Sequence, residues 1–389
     1  MAVCVALTFC FVVYSMLLVV VPVYGLELGA SPLMLGVVLS SQYLLPFLLA
    51  IPLGGVVARY GGRFTLLSGS ILMTAGLLLM QVLPGYYGLI GGQLLIGLAH
   101  LQMVLSAQTI ISSLATGPRL ESYFGWYSTW LSGGQVIGPL LAGGWIHWAG
   151  GVGNLFLVMA GIALLGGLSG LVLTGDATLG MRVSGKQTGF RAQASLMRRN
   201  TGVQVSIAIT VAGMFALGVY GSYLPVYLDS LEMSAVMIGV LVSLRSGVST
   251  VIRPFIPRII SAAGGRERAT ILALCAVSVG VGCLGFAGNV PVIAFLSILV
   301  GLGGGLTQPL SMVVLAESVG REQRSGALGM RLMANRAVHF LAPLLFGLIL
   351  GLSGFGLSFG LSGMFVALIA AVLFRLQGRY RVSGPGAPG

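Results

Sequence analysis

Acidic residues are scarce in this chain. Eight Asp and Glu stand among 389 residues against 20 Lys and Arg, and charged residues make up 7% of the whole. A soluble domain carries about 25% charge, so a soluble fold of this length could not cover its surface. Cysteine is rare as well. Cys4, Cys10, Cys275 and Cys283 form no CxxC pair, which argues against metal or redox chemistry and for buried, inert thiols. There is no HExxH, GxSxG, phosphate-binding loop or close acidic pair, so an enzyme, a cofactor and an ATP-driven cycle are not expected. Long polar segments are missing too, with the exception of 175–200.

What remains is apolar. Hydrophobic residues make up 57% of the chain, and mean hydropathy is +1.02. Twelve apolar stretches follow one another, roughly 3–24, 33–57, 64–83, 87–113, 123–148, 152–174, 202–227, 235–260, 268–287, 291–316, 326–352 and 356–376. Each can cross a hydrocarbon core of ~30 Å as a helix. Barrel strands of ~10 alternating residues are absent. The expected fold is therefore an all-α membrane protein with twelve transmembrane helices. The 61 glycines lie mostly inside apolar stretches, where small residues let helices approach closely. The first stretch lacks a basic n-region and is too long for a cleaved signal peptide.

Charge sets the orientation. One set of loops and helix ends carries Arg59, Arg63, Arg119, Arg182, Lys186, Arg191, Arg198, Arg199, Arg258, Arg266, Arg268, Arg321, Arg324, Arg375, Arg379 and Arg381. The opposite loops carry no Lys or Arg, but hold Glu27, Asp229 and Glu232. The positive-inside rule places both termini and the 175–200 loop in the cytoplasm of a plasma (bacterial inner) membrane protein. Because the basic residues are spread over short loops, the net charge of +12 needs no nucleic-acid partner.

The chain also repeats itself. Residues 22–40, PVYGLELGASPLMLGVVLS, return at 225–243 as PVYLDSLEMSAVMIGVLVS, an offset of 203. Gly61-Gly62-Arg63 return as Gly264-Gly265-Arg266. With one residue inserted, Pro139 and Gly143 return as Pro343 and Gly347. Two structural halves of like orientation follow: 1–174 and 201–376, joined by a cytoplasmic linker at 175–200 and followed by a tail at 377–389. Within the linker, FRAQASLMRR reads as a short surface helix.

At this point the chain resembles the major facilitator superfamily. The loop GGVVARYGGR (54–63) is similar to the family's GxLaDrxGrr, with Gly54, Arg59, Gly61 and Arg63 matching and Ala58 in place of Asp. GQVIGPLLAGG (134–144) is similar to the antiporter-associated GxxxGPxxGG through Gly134, Gly138, Pro139 and Gly143. In QLLIG (93–97), Gln93 stands where the family often has a proton-coupling Arg. The resemblance implies two six-helix bundles related by a pseudo-two-fold axis, a central cavity open alternately to each side, and monomers. It also implies that the 54–63 loop and its copy at Gly264, Gly265 and Arg266 latch the halves in one state.

Ionisable groups at mid-membrane are costly and normally face a cavity or a partner. No Asp or Glu lies near the middle of a span; the deep groups are Arg245, Arg336, His339 and His100. Arg245 lies about 15 Å along its helix from the external end, either as a substrate-orienting cation or as a donor to a neighbouring helix. Arg336 and His339, with Asn335 beside them, share a helix face. They read either as a cavity cation with a titratable imidazole or as a packing network with Arg331 and Glu317. His100, isolated in span four, reads as a hydrogen-bonded packing histidine as well as a cavity candidate. Arg331, near the membrane edge, reads as structural. Gln42, Gln93, Gln108, Gln135 and Gln308 are cavity candidates or interhelical ties. Tyr14, Tyr43, Tyr220, Tyr223, Trp126 and Trp130 could line a pocket.

The expected function is secondary transport of a small organic molecule, with protons as coupling ion and export as direction. Import or exchange of an anion on Arg245 and Arg336 is the alternative, and a non-transporting membrane sensor or assembly factor the third reading.

Overall fold

The computed structural model of the chain describes residues 2–114, 118–169, 200–319 and 324–376. The linker helix expected at 190–199 and the tail at 377–389 lie outside them. The helices are α1 (Ala2–Glu27), α2 (Pro32–Tyr60), α3 (Gly62–Val82), α4 (Tyr86–Leu114), α5 (Pro118–Ala149), α6 (Leu155–Ser169), α7 (Thr201–Ser230), α8 (Ala235–Ile252), α9 (Ile256–Ala262), α10 (Arg266–Gly282), α11 (Val290–Ser318) and α12 (Arg324–Leu376). Every expected span meets a helix. The eighth is shared by α8 and α9, and α12 contains the last two. No strand occurs among the described residues. Nine helical stretches among them are long and apolar enough to cross a membrane.

Local chemistry places the boundaries. Ser31 caps α2 by accepting from the Met34 amide at 3.3 Å, and Pro32 opens the helix. Asn200 Oδ1 accepts from the amides of Gly202 and Val203 at the start of α7. Asn289 Oδ1 accepts from Val292 at the start of α11. These side chains satisfy amides that the first helical turn leaves without partners. Between α8 and α9, Arg253–Phe255 form a 3-10 turn around Pro254, which has no amide hydrogen to continue the α-helix. The apolar stretch Gly329–Arg375 has 47 residues. As one straight helix it would measure about 70 Å, over twice the hydrocarbon thickness. Gly354, at φ 73°, breaks it into two crossings.

The chain packs as two units. One comprises Met1–Ser184, Val219–Gly247 and Phe340–Gly354; the other comprises Gly185–Gly218, Val248–His339 and Phe355–Gly389. Small polar groups tie helices within each. In the first, Ser15 Oγ donates to Gly134 O at 2.8 Å, joining α1 to α5. Ser70 Oγ donates to Ala163 O at 2.6 Å, joining α3 to α6. In the second, Ser206 Oγ donates to Ser311 O at 2.6 Å, and Ser278 Oγ donates to Gly363 O at 2.8 Å. In lipid such hydrogen bonds and close packing hold helices together, because burying an apolar face gains nothing from a solvent that is itself apolar.

The sequence repeat reappears as a repeated contact. A methyl group on Gly76 of α3 would come within 2.9 Å of Gly92 O and 2.8 Å of the Ile96 side chain on α4. One on Gly280 of α10 would come within 2.9 Å of Leu296 O and 2.7 Å of the Val300 side chain on α11. All three pairs differ by 204, whereas Arg63 and Arg266 differ by 203. The single inserted residue therefore lies within α10, between Arg266 and Gly280, well before the Pro139–Pro343 match.

Candidate functional site

Within the first unit, two pairs of helices meet at the arginine-poor end. A methyl group on Gly36 of α2 would meet Pro343 O of α12 at 2.7 Å, and one on Gly347 of α12 would meet Pro32 O of α2 at 2.5 Å. The same arrangement joins α8 to α5. Gly239 lies against Pro139 O, and Gly143 lies against Ala235 O. These are repeat-related contacts: Gly36 and Gly239, and Pro32 and Ala235, differ by 203, while Pro139 and Pro343, and Gly143 and Gly347, differ by 204. Backbone meets backbone only because no side chain intervenes. Most of the repeat's shared glycines and prolines in these helices thus build two copies of one helix–helix seal.

The polar groups in the two copies differ. Tyr223 of α7 is fully buried, its ring 4.5 Å from that of Phe346. Its hydroxyl lies 3.0 Å from both Pro32 O and Pro343 O, in the α2–α12 seal. Its repeat counterpart is Val20, which has no hydroxyl. The α5–α8 seal is tied instead by Ser243 Oγ, which donates to Val136 O at 2.7 Å. Its counterpart, Ser40, is buried, and its hydroxyl has no partner among the described residues.

Deeper in the same unit is a layer of aromatic and basic groups. His100 of α4 stacks on Tyr14 of α1, with ring centroids 3.9 Å apart and planes 21° apart, and Phe11 meets the imidazole edge-on at 4.9 Å. On α8, the guanidinium of Arg245 lies 5.6 Å from the Tyr220 ring centroid, and its Nη2 donates to Ser246 Oγ at 3.2 Å. The low cost of desolvating a guanidinium against a ring face favours this placement. Tyr220 is itself fully buried and donates to Leu241 O at 3.3 Å. Gln135 is half-buried beside Val136, the acceptor of the Ser243 bond.

The remaining expected residues are spread more widely. Gln42 and Gln93 are buried on helices in contact, the Gln42 carbonyl resting on Gly97, one turn from Gln93. Gln42 Nε2 and Gln93 Oε1 have no partner among the described residues. Gln108 is exposed and donates to Tyr127 Oη at 3.3 Å. Gln308 donates to Met214 Sδ at 3.2 Å. Asn335, Arg336 and His339 are half-buried in the second unit. Glu317 forms its ion pair with Arg266, not with Arg331. In the 54–63 loop, Gly61 adopts φ 81° between α2 and α3, Arg59 stacks on Tyr60 at 5.5 Å, and Gly54 faces open space. Gly264 and Gly265 adopt φ 74° and 131° in the copied turn. Gly134 and Gly138 lie against α1 at Phe11 and Ser15. Sequence reasoning passed over Ser15, Ser243 and the burial of Arg331, although Ser40 and Ser243 already stood out as matched repeat positions.

The profile of the Major Facilitator Superfamily matches residues 3–282 and 265–388. The chain belongs to the Major Facilitator Superfamily. Solved structures of transporters share its fold. A point mutant of the nucleoside transporter NupG superposes with a TM-score of 0.84 at 13% identity, over 97% of this chain and 99% of that one. A bacterial homologue of the human lysosomal transporter Spinster, inward-facing and unoccupied, gives 0.78 at 14%, over 100% and 98%. The human organic anion transporter MFSD10 gives 0.68 at 15%, over 96% and 98%. No curated protein matches the sequence. As a superfamily member the chain is an integral membrane secondary transporter.

Proposed function

We propose that this transporter exports a small organic molecule in exchange for protons, by alternating access between the halves 1–174 and 201–376. The observation that carries the reading is the pair of repeat-related seals, α2–α12 and α5–α8, which close one end through backbone contact. Contacts without interlocking side chains can part and re-form at little cost, as a gate must. The arginine bias assigns the sealed end to the outside and both termini to the cytoplasm. The protein works as a monomer in the plasma membrane, and the 54–63 loop and its copy latch its arginine-rich end.

The substrate meets Tyr14, His100, Gln135, Tyr220 and Arg245, with Gln42 and Gln93 supplying neutral polar contacts. A basic layer without a mid-span carboxylate suits a neutral or anionic molecule better than a cation. His100 is the proton carrier, since imidazole changes charge near neutral pH. The test is flux of labelled nucleosides, short peptides and organic acids in proteoliposomes under an imposed pH gradient. Wild type is expected to respond to the gradient. His100→Phe, which keeps a ring against Tyr14, is expected to transport down a concentration gradient and ignore the pH gradient. Equal flux with and without the gradient in wild type would overturn proton coupling.

A further inference from the structure

On α12 a cation occupies a position whose pattern calls for an apolar residue. Ala327, Arg331 and Val338 fall on one buried stripe and are 0%, 5% and 9% exposed. One turn before Arg331, Ala327 packs with Val203, Leu315 and Val319 in an apolar cluster. Arg331 is fixed along one edge. Its Nε and Nη2 donate to Ser311 Oγ at 3.0 and 2.8 Å, and Nη2 also donates to Gln308 O at 3.2 Å. Ser311 Oγ donates in turn to Gln308 O at 2.9 Å.

Every one of these acceptors is neutral. Nη1 has no acceptor among the described residues, and Glu317, the acid on α11, is paired with Arg266. Gln308 Nε2 donates to a thioether, a weak acceptor. Arg336, in the same unit, has a buried Nε without a partner among the described residues. The site therefore holds a full positive charge and spare donors, and no counter-charge among the described residues.

Tying the two helices together does not need that charge. At the repeat offset of 204, Arg331 corresponds to Tyr127, which joins α5 to α4 through a hydrogen bond from Gln108 at 3.3 Å. The first half makes the equivalent tie with neutral groups. A buried charge without an opposite charge beside it is unfavourable, and an anion reaching Nη1 relieves it. Ser311 holds the guanidinium so that little freedom is lost on binding.

We propose that Arg331, oriented by Ser311 and Gln308, binds the anionic group, a carboxylate or phosphate, of the molecule the chain transports. The proposal rests on the transporter reading. The test is thermal unfolding of the full-length protein in uncharged detergent, in sodium citrate or sodium phosphate against sodium chloride at equal ionic strength. Wild type is expected to gain a few degrees at ~100-fold excess of anion over Kd. Arg331→Gln, which keeps a donor for Ser311 but no charge, is expected to lose the shift, and Arg258→Gln, at an exposed arginine of α9, to keep it. If Arg331→Gln does not fold, Ser311→Ala retains the charge without its orientation and is expected to weaken anion binding about tenfold. No anion-specific shift in wild type, or an undiminished shift in Arg331→Gln (in Ser311→Ala, where Arg331→Gln does not fold), would overturn the proposal. A shift produced only by anionic lipid in nanodiscs, not by citrate or phosphate, would also overturn it, since the occupant would be a lipid headgroup. Flux without an anion shift sinks this site alone. An anion shift without flux of any substrate leaves the site standing and sinks the transporter reading on which its cargo depends.

Discussion

The Tyr223 hydroxyl has one proton and two acceptors, so it completes one strong hydrogen bond at a time. Pro32 O and Pro343 O each also face the amide four residues on in their own helices. Removing the hydroxyl therefore leaves no carbonyl stranded, and the cost is that of one ordinary hydrogen bond, about 1 kcal/mol. Tyr223→Phe keeps the ring on Phe346 and is expected to favour the open seal by about fivefold. The measurement is the labelling rate of Ser40→Cys by an impermeant thiol reagent, with the four native cysteines replaced by serine. A faster rate supports Tyr223 as a tie across the α2–α12 seal, and an unchanged rate removes it from that role. Residue roles were only partly legible in the sequence. Arg245 stood out because a mid-span cation is rare. Tyr223 read as a pocket aromatic, because nothing local to α7 reveals that carbonyls of α2 and α12 converge on its hydroxyl. Arg331 read as an edge residue, because depth along a helix does not report which face is buried.

At the scale of elements, the glycines of the seals separate folding from gating. Gly239 touches Pro139 O across the proposed α5–α8 gate, whereas Gly76 and Gly280 pack within α3–α4 and α10–α11. Gly239→Leu is expected to fold, to expose the arginine-poor end, and to lower transport by more than about tenfold, since overpacking costs the closed state roughly 1–3 kcal/mol. Gly280→Leu is expected to lower the unfolding temperature instead. Thermal unfolding and flux measured on both variants check the distinction; equal loss of stability in the two would contradict it. The helices themselves were readable almost throughout, because length and hydropathy decide a membrane span. The 3-10 turn at Pro254 and the break at Gly354 refined the pattern without changing the order. The position of the inserted residue was not readable, since apolar helices align about as well one residue off; only the matched contacts of Gly76 and Gly280 fix it.

At the scale of the whole molecule, the repeat supplies symmetric scaffolding and the polar groups break the symmetry. Tyr223 faces Val20 across the repeat, Arg245 faces Gln42, and Arg331 faces Tyr127. Scaffold chemistry was legible because it is duplicated. Site chemistry was legible only as difference, and difference alone does not say which odd residue touches cargo. The central claim is that the seals open and close as one gate of a transport cycle. The most direct measurement is the spin-label distance between Ala30→Cys and Ser353→Cys in lipid nanodiscs, with the native cysteines replaced and with or without Gly36→Leu. The account predicts a short and a long distance in the parent protein, collapsing to the long one with Gly36→Leu. A single short distance in both proteins would contradict it.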